Sequence, residues 1–313
     1  MNRLRVGTRA SALARVQSGQ VACALGEALR REVVLVDVTT EGDVNRAPLA
    51  QLGGTGVFVG ALREALLRDE VDVAVHSLKD LPTTPAGDLA LAAVPLREDP
   101  RDVVVANAGM TLGELPVGSR VGTGSPRRAA QLHALGLGLE VVAIRGNVDT
   151  RVRKVRSGEV DAVVLARAGL ARLGRLDEVT ETLDPLQMLP APGQGALAVE
   201  TREADTELTA AVRQALDDPA TRSAALAERT VLADLEAGCA APVGALAEVV
   251  EGDDGDELWL RAVALSHDGA LSVRMSASGD PADAAGVGTR LAGEMLADGA
   301  AELTAAPMKR RHA

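Results

Sequence analysis

At 313 residues and 47% apolar, the chain is long for a single core and fits two or three domains. Its formal net charge is -11, Phe58 and Trp259 are its only aromatics and it has no Tyr, which excludes a base-stacking or broadly basic nucleic-acid binder. Cys23 and Cys239 cannot build a disulfide framework, no apolar run is long enough to span a membrane and no secretory core follows Arg3 and Arg5, so a soluble cytoplasmic protein is expected.

Short Val-rich runs at 4–8, 33–40, 71–77 and 89–95 read as strands. The amphipathic stretches at 10–31 and 57–69 read as helices, giving the alternation of a mostly parallel sheet. The pattern restarts at 102, where DVVVAN, SRVGTG, LEVVAI and VDAVVLA are separated by helices at 126–135 and 148–157. EVDVAV at 70–75 is echoed by EVDAVV at 159–164, which points to two similar α/β domains. Residues 96–102, charged and broken by Pro100, read as the crossover between them; the Pro- and Gly-rich stretch 189–200 reads as the return, its strand rejoining the first sheet. After Asp218 a long helix to about Ala237, strands ALAEVV and LWLRAVAL around a solvated acidic hairpin tip at 251–257, strand SVRMSASG and a helix near 281–297 make an α+β third domain. The expected domains are 1–96 with 197–216, then 97–196, then 217–313. Cys23, in a helical apolar run between Val21 and Leu25, reads as a buried small hydrophobe, and Lys309, Arg310 and Arg311 as a frayed end.

Positive charge is concentrated in one place. Seven arginines and Lys154 fall between Arg120 and Arg156 against Glu140 and Asp149 alone. In VGTGSPRRAAQL, 121–132, Ser125 reads as an N-cap and Pro126 as the first helical residue, so Arg127 and Arg128 occupy the first turn. Cations there oppose the helix macrodipole at about 0.3–1 kcal/mol unless something compensates, and an anionic ligand would. A second junction, AIRGNVDTRVRKV at 143–155, places Arg145 at a strand end and Arg151 early in the next helix behind Asn147 as cap. One basic cluster is most simply a solvated face; two at equivalent junctions point to a polyanion site. Arg9 and Ser11 follow the first strand, and His76, Ser77, Lys79 and Asp80 follow the third, so all gather at strand carboxyl ends, where α/β clefts bind ligands. Arginine pairs bidentately with carboxylates, so the cleft suits a ligand bearing several of them. Asp80 reads either as a charge balance or as a proton-handling or cation-stabilising group. Cys239, on the turn GCAAPVG, reads either as a small hydrophobe or as a sulfur facing a cleft. The scattered His76, His133, His267 and His312 support no metal site.

The stretches GTRAS at 7–11, HSLKDLP at 76–82, REDPRD at 97–102, GTGSPRR at 122–128, RGNVDTR at 145–151, LARAGLARLG at 165–174, APGQGALAVE at 191–200 and GCAAPVG at 238–244 together resemble porphobilinogen deaminase, the hydroxymethylbilane synthase family, over nearly the whole chain. The resemblance implies two α/β domains like type II periplasmic binding proteins and a C-terminal α+β domain. It implies a dipyrromethane cofactor held by a thioether at Cys239. Four porphobilinogen units are then added, each losing ammonia to give an azafulvene that the growing chain attacks, and hydrolysis releases a linear tetrapyrrole. Asp80 matches the catalytic aspartate; Lys79, Ser125, Arg127 and Arg128 go with the cofactor, and Arg9, Ser11, Arg145, Arg151, Arg172 and Phe58 with the substrate. No nucleic acid, membrane or metal partner is implied, and the enzyme is expected to be a monomer. Thr55 stands where the family's loop commonly has Lys, and Gly60 where a second Lys is frequent, which puts a lysine role there in question. The competing reading is a noncatalytic polycarboxylate-binding protein on the same cleft.

Overall fold

A computed structural model describes residues 3–38, 56–236, 241–253 and 255–304, with 56–58 as helix backbone. Cys239, the loop from Gly53 to Thr55, the Phe58 side chain and the basic C-terminal residues therefore lie outside the description.

The chain opens with β1 (Leu4–Thr8), α1 (Ala12–Leu29), β2 (Val33–Asp37), α2 (Gly56–Leu67), β3 (Val73–Ser77) and β4 (Leu89–Ala93). It then enters a second unit of β5 (Asp102–Ala106), β6 (Arg120–Thr123), α3 (Pro126–Ala134), β7 (Glu140–Ala143), α4 (Val148–Arg156), β8 (Ala162–Ala166), α5 (Arg167–Arg172) and β9 (Glu181–Thr182). The return strand β10 (Leu197–Arg202) rejoins the first sheet as the sequence predicts, giving the order β2-β1-β3-β10-β4, and the second sheet runs β7-β6-β8-β5-β9. Both are the same pattern, with three parallel strands and one antiparallel strand set before the edge. In each sheet that antiparallel member, β10 or β5, is the strand on which the chain arrives from the other sheet. This is the pair of type II periplasmic-binding-protein-like units that the resemblance implies.

The sequence echo has a physical cause. Asp72, just ahead of β3, accepts the Arg5 amide of β1 at 2.8 Å, and Asp161, just ahead of β8, accepts the Arg120 amide of β6 at 2.7 Å. Each carboxylate fixes the start of the third strand beside the first, and the Val-rich run that follows is buried on both faces.

After α6 (Thr206–Leu216) and α7 (Pro219–Asp234), strands β11 (Val243–Gly252), β12 (Gly255–Leu265) and β13 (Ser272–Gly279) form a third, antiparallel sheet. Helix α7 packs with α8 (Ala284–Ala297) and the short α9 (Ala300–Thr304) against one face of it, burying Val231, Leu258, Leu260, Leu291 and Met295. Aliphatic side chains build every core, as the lack of aromatics requires. Glu228 of α7, fully buried, accepts from the Arg97 guanidinium at 2.6 and 3.0 Å and from the amides of Gly193 and Ala247 at 2.6 and 2.8 Å. One carboxylate thus ties both crossovers to the third sheet.

Cys23 corrects an expectation. It is exposed, because α1 buries Gln17, Ser18, Val21 and Leu25, and position 23 lies about 200° around the helix from both 21 and 25. Its thiol lies 3.5 Å from the Glu27 carboxylate, whose hydrogen bond and charge raise the thiol pKa.

Candidate active-site cleft

A cavity of about 810 Å³ opens at the carboxyl ends of β1 and β3 on one side and of β7 and β8 on the other. From the first sheet come Arg9, Ser11, Lys79 and Asp80; from the second come Arg128, Arg145, Arg151 and Arg172. Ser11 caps α1, its Oγ accepting the Ala14 amide, and so fixes the turn that carries Arg9. Lys79 and Asp80 sit on a single 3-10 turn, Leu78–Asp80, whose Leu78 is fully buried, so the turn is pinned while both ionic side chains remain half-buried at the cavity wall. Asn147 caps α4 through the Thr150 amide, and the Arg151 Nε donates to the Gly146 carbonyl at 2.8 Å. Gly124 is required here, since a Cβ would stand 2.7 Å from the Ile144 carbonyl oxygen. Arg172 donates to the Gly195 carbonyl at 2.7 Å, and Gly195, at φ 89°, has no room for a Cβ against the Glu98 carbonyl.

Two expected residues are not brought to the cavity. Arg127 and Arg128 share a resident counter-ion that the sequence reading missed, Asp102, the first residue of β5 and fully buried. Arg127 donates to Asp102 Oδ2 at 2.7 Å and to the Leu189 carbonyl, pointing away from the cleft into the packing between α3 and the return segment. Ser125 spends its Oγ on the Arg128 amide as the N-cap and is absent from the wall. Arg128 reaches both ways: Nη2 binds Asp102 at 2.8 Å, and the side chain lines the cavity. The helix-dipole penalty is therefore offset by a buried carboxylate as well as by whatever anion the cleft takes.

Gln194 links this ion cluster to the opposite wall. Its amide nitrogen donates to Asp102 at 2.8 Å and to the Pro100 carbonyl at 2.6 Å, and its oxygen accepts from Lys79 Nζ at 3.3 Å. Asp102 and Gln194 were hidden because a buried polar side chain on an apolar strand or loop has no periodic signature, and were visible only as letters in REDPRD and APGQGALAVE; Glu228 was hidden because a glutamate in a helix reads as part of its solvated face. His76 is buried, its Nε2 3.2 Å from Glu200 Oε2, and Glu200 also accepts a bidentate grip from Arg63 at 2.7 and 3.0 Å. Among the described residues no cluster of His, Cys, Asp and Glu has metal-site geometry, and no helix is long and apolar enough to cross a membrane.

The wall is strongly cationic. Arg9, Lys79, Arg128, Arg145, Arg151 and Arg172 face Asp80 and Asp149. Burial, then the charge of Arg128, lowers the Lys79 ammonium to about 8. Burial and repulsion from Arg128 and Arg145 pull the Arg151 guanidinium down to about 10, and burial also lowers Arg172. Crowded, desolvated cations of this kind are stabilised by a polyanion. Asp102 is instead held in its charged form: burial raises its pKa, but Arg127 and Arg128 outweigh burial and hold it far below the usual carboxylate range.

Two α/β units flanking a cleft whose six cations outnumber its two carboxylates define a protein that handles a polycarboxylate ligand. A family model described as porphobilinogen deaminase, dipyromethane cofactor binding domain, matches residues 4–210, and one described as porphobilinogen deaminase, C-terminal domain, matches residues 223–297. Porphobilinogen deaminase 1 of Streptomyces coelicolor is 58% identical over 96% of this chain and 97% of its own. Porphobilinogen deaminase of Mycobacterium tuberculosis is 57% identical over 96% and 98%. The chain belongs to the porphobilinogen deaminase family. Among solved structures, the methionine-binding protein MetQ aligns at a TM-score of 0.45 and 14% identity over 68% of this chain and 89% of that one.

The family's cofactor is dipyrromethane. Its two pyrroles carry four carboxylates, and six cations around an 810 Å³ space fit such a group.

Proposed function

We propose that this chain is a hydroxymethylbilane synthase, a transferase that deaminates four porphobilinogen units, joins them head to tail and releases hydroxymethylbilane by hydrolysis in tetrapyrrole biosynthesis. The observation that carries this reading is the placement of Asp80, half-buried beside Lys79, on the first-sheet side of a cleft lined by five arginines. A pure carboxylate carrier has no use for an anion there.

When bound, the dipyrromethane supplies the free pyrrole α-carbon at which the first unit is joined; we assign its attachment to Cys239. Arg128 and Lys79 hold its carboxylates, Arg128 being oriented by Asp102 and Lys79 by Gln194. Arg9, Ser11, Arg145, Arg151 and Arg172 bind and orient the acetate and propionate groups of porphobilinogen. As ammonia leaves the substrate, positive charge spreads over its pyrrole ring. Asp80 accepts a hydrogen bond from the ring N-H and stabilises that charge in a desolvated site, where a fixed carboxylate acts most strongly. It does the same when the new carbon-carbon bond forms and the attacking terminal ring of the chain gives up its α-proton. We give Arg127 and Ser125 a supporting role, through Asp102 and the α3 cap, rather than ligand contact.

In this account 1–96 with 197–216 form the Asp80 side of the cleft, 97–196 the arginine side and 217–313 the domain that carries Cys239. We place the enzyme in the cytoplasm as a monomer. Incubation of the purified chain with porphobilinogen tests the reading: one ammonia is released per porphobilinogen consumed and a linear tetrapyrrole appears. Binding without ammonia release would instead identify the carrier.

A further inference from the structure

Asp149 is a carboxylate in the wall of a cavity built for carboxylates. It lies in the first turn of α4, between Arg145 and Arg151, and its side chain is half exposed toward the cleft. A carboxylate there suits the helix dipole, but its charge also faces the ligand. The structure gives it a dedicated partner. Arg175, just beyond α5, donates from Nη1 to Asp149 Oδ1. The other face of the same guanidinium is fixed by Glu178, Nε to Oε1 at 2.5 Å and Nη2 to Oε2 at 3.0 Å. Glu178 is steadied in turn by Arg156, from the last turn of α4, at 3.1 Å. The Arg175 amide donates to the Leu170 carbonyl of α5 at 2.9 Å. Asp149, Arg175, Glu178 and Arg156 thus form a chain of alternating charge from the cleft wall to the far end of the same helix, and its net charge is zero.

We propose that Arg175 is a positioning residue that neutralises Asp149 and so sets the affinity of the cleft for carboxylate-rich substrate, without touching that substrate. This rests on the functional reading above. Without Arg175 the Asp149 charge faces the ligand's carboxylates uncompensated. The repulsion acts on bound substrate and transition state alike, so it raises KM and leaves kcat nearly unchanged.

The test is a double-mutant cycle on the full chain with its cofactor, using porphobilinogen as substrate at low and high salt. Arg175→Leu raises KM roughly three- to tenfold at low salt with kcat within about twofold, and the rise shrinks at about 0.5 M salt. Adding Asp149→Asn to that variant restores KM to within about twofold of the parent, which packing loss at Arg175 would not allow. Asp149→Asn alone, which keeps Arg175 and stands as the control should Arg175→Leu fold poorly, leaves KM unchanged or lower. An unchanged KM in Arg175→Leu, a rise that persists in the double variant, or a rise in Asp149→Asn alone overturns the proposal. Loss of the functional reading itself would appear differently, as an unsubstituted chain that consumes no porphobilinogen.

Discussion

Asp80 lines the cavity between Lys79 on its own turn and Arg128 across the cleft, and no other carboxylate among the described residues approaches the same wall of the first sheet. Asp80→Asn keeps the shape and removes the charge, so turnover falls by about 10²–10³ while thermal unfolding is nearly unchanged. Near-normal turnover would return Asp80 to a charge balance. Lys79 gives a pH signature. Its folded-state value of about 8 lies below the ordinary 10.5, so the unfolded chain binds the proton more tightly and this residue adds stability as pH rises from about 8 to 10.5. Ligand binding responds with the opposite sign, because it needs the charged ammonium. Uptake of the dipyrromethane by cofactor-free chain falls as pH passes upward through about 8 or somewhat higher, and Lys79→Arg, which cannot deprotonate there, removes that limb of the profile. Cys23 was misread because an apolar run in a helix does not say which residues face inward. Its position in the run made it look buried, whereas the α1 contacts place it outward beside Glu27.

At the level of elements, the strand-to-helix junctions were legible because caps and glycines are local signals. Ser125 and Asn147 cap the helices that their sequences mark, and the antiparallel return strand follows its Pro- and Gly-rich lead. Which side of a helix's first turn faces the ligand was not legible. Arg127 and Arg128 are neighbours on the chain and differ by about 100° around α3, so both reach the β5 carboxylate but only Arg128 also lines the cleft. Substitution separates them. Arg127→Leu leaves Asp102 with one arginine fewer in a buried site and destabilises by about 3–5 kcal/mol, read as a lower Tm, without trapping partly extended products. Arg145→Leu and Arg151→Leu leave Tm near normal and give a ladder of stalled masses, because each holds carboxylates of the lengthening chain. Stalled species from Arg127→Leu would put that side chain back in the cleft.

Across the whole molecule, cohesion depends on a few buried carboxylates whose partners come from distant segments. Asp102 joins α3 to the return segment, Glu200 joins α2 to the strand ahead of Asp80, and Glu228 joins both crossovers to the third sheet. No single-sequence pattern reveals such pairings, because they depend on contacts between residues up to 137 positions apart. Burial raises the pKa of Glu200, but His76 and Arg63 outweigh it and hold the group at about 2, against an ordinary 4.5. A depressed carboxylate contributes its full stabilisation above the unfolded value and loses it as pH falls toward the folded one. Unfolding titrations should accordingly show stability dropping between about pH 4.5 and 2, with Glu200→Gln flattening that slope. The central claim, that this cleft builds a tetrapyrrole on a covalently held dipyrromethane, is tested most directly by the intact mass of the purified active chain with peptide mapping. The account predicts a mass greater than the sequence by two linked pyrrole units, carried by the peptide containing Cys239 and unaffected by Cys23→Ala. An unmodified mass in protein that turns over porphobilinogen, or the added mass on Cys23, would contradict it.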